Sequence, residues 1–164
     1  MSQPKQQDQG SPDEQQHLKK MYLKFGAMML ISLIVMWVLS MSMIDKLGHF
    51  YLNISNFYMA LIMVAAMGVI MTIGMWKMLG SRNVNIALLV GFIVLFVAAL
   101  ILGRTETFVG NQGFLESMIP HHSRAILVCQ ESDISDPEIV QLCEEIVQAQ
   151  EEEIAQMQEI LERY

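Results

Sequence analysis

The residue types best suited to binding a ligand in this 164-residue chain are side chains that bind soft metals. The sequence contains 15 methionines, 4 histidines and 2 cysteines. Thioether and thiolate sulfur select soft ions such as Cu(I), and imidazole also binds copper. Twelve of the methionines lie between positions 21 and 78, and a smaller group of soft ligands lies near the C-terminus. Copper binding is therefore the chemistry that these residues favour.

One series of methionines recurs at every fourth position. In a helix, residues four apart lie nearly above one another, so their thioethers would form a slowly turning row. Such a row could bind Cu(I), or it could only pack against a neighbouring helix, because methionine is a flexible filler of helix interfaces. Both interpretations remain open from the sequence. This methionine series comprises Met59, Met63, Met67, Met71 and Met75.

Two helices are predicted in the C-terminal region. The first contains Pro120, which would kink it or mark its first turn. The second is predicted to begin near Ser135 or Asp136, with Pro137 in its first turn, and to end near Glu162. Its predicted inner face comprises Ile139, Cys143, Ile146, Val147, Gln150, Ile154, Met157 and Leu161.

Antiparallel packing of these two helices predicts a specific register. It places Cys129 opposite Cys143 and Met118 opposite Met157. Since Met118 and Cys129 lie about 16 Å apart along one helix, they cannot bind the same ion. The cysteine pair, near the tip, is predicted to form either a second metal site or a disulfide. The first metal site is predicted to comprise Met118, His121, His122 and Met157.

Three long apolar segments precede this region. Each lacks charged side chains, and about 20 helical residues cross the roughly 30 Å hydrocarbon layer of a bilayer. Only 16% of all residues are charged, against about 25% in a typical soluble domain. The predicted spans are residues 25–44, 57–76 and 86–103. The predicted domains are a disordered cytoplasmic N-terminus at 1–18, a three-span membrane region at 19–103 and an extracytoplasmic helical hairpin at 104–164.

The distribution of charge predicts the orientation in the membrane. Basic residues cluster before the first span and between the second and third spans, which places the N-terminus in the cytoplasm. Residues 104–164 carry 13 acidic and 3 basic side chains and would lie outside. We expect a bacterial inner membrane protein with a periplasmic hairpin and the lipid bilayer as its first partner. The net charge of −7 argues against nucleic acid as a partner.

The C-terminal region lacks the motifs of enzymes that use the same residue types. It has no Glu-x-x-His, which the carboxylate di-iron proteins require. It has no His-Glu-x-x-His, which zinc peptidases require. No nucleophile–base pair and no glycine-rich phosphate loop is recognisable. We therefore expect a protein that is not an enzyme.

The C-terminal region also resembles a known family. The matching residues resemble the signature of domain of unknown function family 305, and the three-span layout resembles its membrane-attached branch. The CopM-like copper-binding members of that family imply an all-α, ferritin-like bundle in which Met118, His121, His122 and Met157 bind copper. One hairpin is half of a four-helix bundle, which implies a homodimer or larger homo-oligomer. The matching motifs are Phe114-Leu115, Met118-Ile119-Pro120-His121-His122, Ala125-Ile126, Asp136-Pro137-Glu138, Gln150, Glu153-Ile154 and Met157.

The leading hypothesis is a membrane-anchored, non-catalytic copper-binding protein, with Cu(I) as the preferred ion. It would serve copper tolerance or trafficking and exchange the ion with a copper donor or acceptor protein. One alternative is a membrane assembly or accessory subunit, in which the methionines only pack helices and the cysteines form a disulfide. A third hypothesis is a copper permease that uses the methionine series of the second span.

Overall fold

The computed structural model describes residues 12–164, and within that range every regular element is helical, as predicted. A single 3₁₀ turn at Leu47–His49 lies between the first two long helices. The predicted disorder of residues 1–18 falls partly on residues 1–11, which lie outside the described range, whereas residues 12–18 are helical. The long helices are α1 at Pro12–Leu39, α2 at Ile54–Gly74, α3 at Arg82–Arg104, α4 at Asn111–Glu131 and α5 at Pro137–Leu161.

Helices α1, α2 and α3 are long and apolar enough to cross a membrane. Helix α2 packs against both α1 and α3. The packing is closest at Gly68, where a Cβ atom would lie 2.5 Å from the ring of Phe92 on α3. A small residue is therefore required at Gly68 for the two helices to approach this closely.

Two helix ends differ from the predicted spans because polar side chains satisfy backbone groups there. Helix α1 ends at Leu39 rather than at residue 44. The hydroxyl of Ser40 donates to the carbonyl of Trp37 at 2.7 Å, and that of Ser42 donates to the carbonyl of Leu39 at 2.8 Å. Carbonyls at a helix end need such partners once the helix stops.

Helix α2 begins earlier than predicted, at Ile54, because Asn53 caps its N-terminus. The side-chain oxygen of Asn53 accepts a hydrogen bond from the backbone N–H of Asn56 at 2.8 Å. This is the usual role of asparagine at an N-cap. Residues 40–53 are consequently a loop with one 3₁₀ turn, and the C-terminal helices pack against this loop.

Helices α4 and α5 form an antiparallel hairpin, which we call the hairpin below. Its second helix begins with Asp136 as the N-cap, whose carboxylate accepts from the backbone N–H groups of Glu138 and Ile139 at 2.9 and 3.4 Å. Pro137 occupies the first turn of α5, as predicted. The hairpin core consists of Leu115, Ile119, Ile126, Ile154 and Met157.

Helix α4 continues through Pro120, and the loop compensates for the missing N–H. A residue at position 120 would normally donate its N–H to the carbonyl of Glu116, but proline has no N–H to give. Instead, the side-chain amide of Asn53 donates to that carbonyl at 3.3 Å. Because Pro120 cannot donate to it, the carbonyl of Glu116 is free to accept from Asn53, and this bond joins the hairpin to the loop before α2.

Candidate metal centre

The middle of α4 positions three of the four predicted metal ligands. Met118 is half-buried and packs against the hairpin core, which contains the buried Met157. His121 is exposed and lines a cleft between α4 and the membrane helices. The side chain of His122 is 14% exposed and lies against α5. The four residues therefore lie in one part of the hairpin but do not all face the same point.

Of His121 and His122, His122 has the more buried side chain. Its buried Nδ1 atom lies 2.9 Å from a carboxylate oxygen of Glu153 on α5, at the distance of an ion pair. The ring centroids of His121 and His122 are 5.9 Å apart, and the rings are inclined at 62°. Because the carboxylate of Glu153 lies against Nδ1, a metal bound by this ring would be held through Nε2.

A metal ion at this place would depend on methionine sulfur. Within residues 12–164, no group of three or more His, Cys, Asp and Glu side chains is close enough to hold a metal. Met118 and Met157 add two neutral soft donors to the imidazole of His122. Thioether donors favour Cu(I) over the hard ions that carboxylates bind.

Cys129 and Cys143 form a disulfide, with their Cα atoms 5.3 Å apart. The two cysteines therefore lie opposite each other, as the antiparallel register predicts. Of the two interpretations of this pair, the structure adopts the disulfide. The sulfur atoms are consequently not free thiols in this state.

Three polar residues that the sequence does not single out join the hairpin to the loop before α2. The hydroxyl of Ser123, on α4, accepts from the backbone N–H of Asp45 at 2.8 Å and is hydrogen-bonded to Nδ1 of His49 at 2.9 Å. Burial lowers the pKa of His49 from its usual 6.5, the positive charge of Lys46 lowers it further, and Asp45 opposes the shift. The only signal for Ser123 in the sequence is its position directly after the two histidines.

The methionine series divides into two parts with different surroundings. Met67, Met71 and Met75 are half-buried and pack against the cluster of Phe25, Met29 and Val64 inside the helix bundle. Met59 and Met63 are 57% and 41% exposed and line the same cleft as His121. The row turns by about 40° with each step of four residues, so one helix presents the same residue type to two environments.

Comparison with known proteins finds a family match for the hairpin region. Residues 104–161 match the family described as domain of unknown function DUF305. The chain is also 33% identical, over 120 residues, to the uncharacterized protein L153 of Acanthamoeba polyphaga mimivirus, which covers 72% of this chain and 77% of the viral protein. This chain belongs to the DUF305 family. The DUF305 match covers the whole hairpin, and no solved structure matches the chain.

Proposed function

We propose that this DUF305 protein is a membrane-anchored copper-binding protein that holds Cu(I) in its hairpin. It takes no catalytic part and serves copper tolerance or trafficking by exchanging the ion with a donor or acceptor protein. Copper is the cargo of this site rather than a resident cofactor. The donors are Met118, His121, His122 and Met157.

The observation that carries the proposal is that Met118 lies one helical turn from His122 and packs against the core that contains Met157. The side chain of His122 is 14% exposed, and its Nδ1 atom lies 2.9 Å from the carboxylate of Glu153. Burying a divalent ion among neutral donors is costly, whereas a soft monovalent ion gains strong bonds to sulfur at a smaller cost. The carboxylate of Glu153 beside the ring is a common second partner of a metal-binding histidine and would hold its orientation.

The proposed orientation places the hairpin outside the cytoplasm. Basic residues flank the cytoplasmic ends of the spans, and three spans bring the loop at 40–53 and the hairpin to the same side, where they pack together. The disulfide between Cys129 and Cys143 fits an oxidising compartment. In a bacterium, this arrangement corresponds to the inner membrane with the hairpin in the periplasm.

The proposal is tested by anaerobic titration of the full-length protein, in detergent micelles, with Cu(I) against a competing chelator. His122→Ala combined with Met157→Leu should remove the hairpin site while leucine preserves the core volume. The matched control is His17→Ala with Met78→Leu, which removes one imidazole and one thioether at the opposite end of the membrane helices. We expect the control to bind like the wild type and the hairpin variant to bind at least one equivalent less. Equal binding by all three proteins would contradict the proposal.

The disulfide and the buried methionines also support a second candidate function, that of an assembly or accessory subunit. In that case Met67 and Met71 only pack helices, as their contacts with the cluster of Phe25, Met29 and Val64 suggest. Met67→Leu with Met71→Leu in cells should then leave both protein level and cellular copper unchanged. A change in cellular copper at constant protein level would instead support transport of copper through the membrane helices.

A further inference from the structure

A cleft of about 700 Å³ lies between the hairpin and the outer ends of the three membrane helices. We call it the junction cleft. Met118 and His121 line it from α4, Met59 and Met63 line it from α2, and Met43 lines it from the loop after α1. With Met41 from the same loop, five thioethers and one imidazole from three separate segments border one cavity.

Packing leaves three of the methionines that line the cleft largely exposed. Met43, Met59 and Met63 are 53%, 57% and 41% exposed. Met59 and Met63 are one helical turn apart, so their Cβ atoms lie about 5–6 Å apart on one face of α2. By contrast, Met41 also borders the cleft but is 1% exposed, and its sulfur accepts a hydrogen bond from the amide of Asn53 at 3.7 Å.

The charged groups of the cleft restrict which cation it could hold. Arg104 and Arg124 border it together with a single carboxylate, Glu106. That carboxylate accepts a hydrogen bond from the hydroxyl of Ser55 at 2.6 Å. A divalent ion that prefers oxygen would find one engaged carboxylate and two positive charges. A soft monovalent ion depends on sulfur rather than on carboxylates, and the exposed arginines are screened by solvent and salt.

We infer that the junction cleft is a second Cu(I) site, formed by Met43, Met59 and Met63 and sharing Met118 and His121 with the hairpin site. The inference rests on the proposed function in taking copper as the cargo. It assigns a ligand role to the outer part of the methionine series and a packing role to the inner part. Because His121 lines the cleft and His122 lies against Glu153 on α5, His121 would lie between the two sites.

The test is a Cu(I) titration of the full-length protein in detergent micelles, combined with X-ray absorption at the copper edge. The cleft variant is Met59→Leu with Met63→Leu, which keeps the apolar volume and removes two sulfur atoms. The matched control is Met67→Leu with Met71→Leu, which makes the same change on the same helix two turns further in. Thermal unfolding of each variant checks that the membrane helices remain packed.

We expect the cleft variant to lose one equivalent of Cu(I), with fewer sulfur neighbours per copper, and the control to bind like the wild type. His122→Ala with Met157→Leu separates this result from the proposed hairpin site. If that variant binds like the wild type while the cleft variant loses copper, the hairpin proposal fails and the junction cleft stands. If the cleft variant keeps every equivalent at wild-type affinity, the inference is overturned. If lipid acyl chains fill the cleft instead, the cleft variant should keep every equivalent of Cu(I) at wild-type affinity.

Discussion

Ser123 joins the hairpin to the loop before α2 through a buried hydrogen-bond network. It is completely buried, and its hydroxyl joins the backbone of Asp45 to the ring of His49. His49 is itself 8% exposed. Loss of one partner would leave a buried polar group without a hydrogen bond, which costs about 1–3 kcal/mol. The position of the cleft ligands on α4 relative to α2 therefore depends on this small network.

His49 makes the packing of the hairpin on the loop dependent on pH. Its pKa is lowered in the packed state by burial and by Lys46, so the separated state binds a proton more readily. Packing is therefore strongest above the usual pKa of 6.5 and weakens as the pH falls below it. Hydrogen exchange of α4 amides at about pH 7.5 and about pH 5.5, corrected for the intrinsic exchange rate, should show faster opening at the lower pH.

The His49→Asn variant provides the control for this pH dependence. Asparagine retains a polar side chain but does not titrate. Opening of α4 in this variant should be nearly the same at the two pH values after correction. An undiminished pH dependence in His49→Asn would show that another group is responsible.

The disulfide should contribute stability to the hairpin without contributing to copper binding. It closes a loop with a sequence separation of 14 residues, for which the loss of chain entropy in the unfolded state amounts to about 3 kcal/mol. Cys129→Ala with Cys143→Ala should therefore lower the free energy of unfolding of α5 by about 3 kcal/mol, measured by hydrogen exchange. The number of Cu(I) equivalents should stay the same. A lost equivalent in this variant would indicate that the cysteines bind the metal.

At the scale of helices, the close packing of α2 on α3 depends on Gly68. An added Cβ would lie 2.5 Å from the Phe92 ring, so Gly68→Ala must displace that ring. The ring of Phe92 also packs against the cluster of Phe25, Met29 and Val64. Overpacking of this kind costs about 1–3 kcal/mol. We expect a lower melting temperature for this variant in detergent micelles.

Gly91→Ala is the matched control for that substitution. Gly91 lies on α3, and a Cβ there would meet nothing within 4 Å. Alanine also has the higher helix propensity. Gly91→Ala should therefore leave the melting temperature unchanged or raise it. If both variants melt alike, the contact of Gly68 with Phe92 does not limit the packing.

Helices could be predicted from this sequence because their signals are local. Long apolar runs identify α1, α2 and α3, and the Asp136-Pro137 pair identifies the start of α5. The ends of α1 and α2 were less predictable, since they depend on side chains such as Ser40 and Asn53 that compete for single backbone groups. The helical start of α1 at Pro12 also extends into a segment whose polar composition favours disorder.

The candidate site was predictable only in part. The antiparallel register followed from the length of the connection, and the cysteine pair lies as predicted. The surroundings of His121 and His122 depend instead on how the hairpin packs against the loop. Ser123 makes this contact with His49 and Asp45, which lie 74 and 78 positions earlier in the chain. No local pattern reveals a contact between such distant segments. Ile139 shows the same limit, since it was predicted to face inward but is 48% exposed.

For the whole molecule, the tip of the hairpin is a surface that a second copy of the chain could cover. The hairpin core lies nearer the membrane, at Leu115, Ile119 and Ile154. Near the tip, Val128 and Leu142 are 52% and 53% exposed. Full burial of one such side chain stabilises an interface by about 1.5–3 kcal/mol. A second copy of the hairpin would supply the two further helices of a four-helix bundle, so we expect a homodimer.

A charged residue at the tip should separate this dimer into monomers. Leu142→Glu would place a carboxylate among apolar side chains, where an unpaired charge is costly. The control is Gln148→Glu, which adds the same charge at an exposed position two turns along α5. Light scattering after size exclusion in detergent micelles should show a dimer for the wild type and the control and a monomer for Leu142→Glu. A dimer that Leu142→Glu leaves intact would place the contact between copies elsewhere, and a wild-type monomer would contradict the homodimer and leave the hairpin to bind its ion alone.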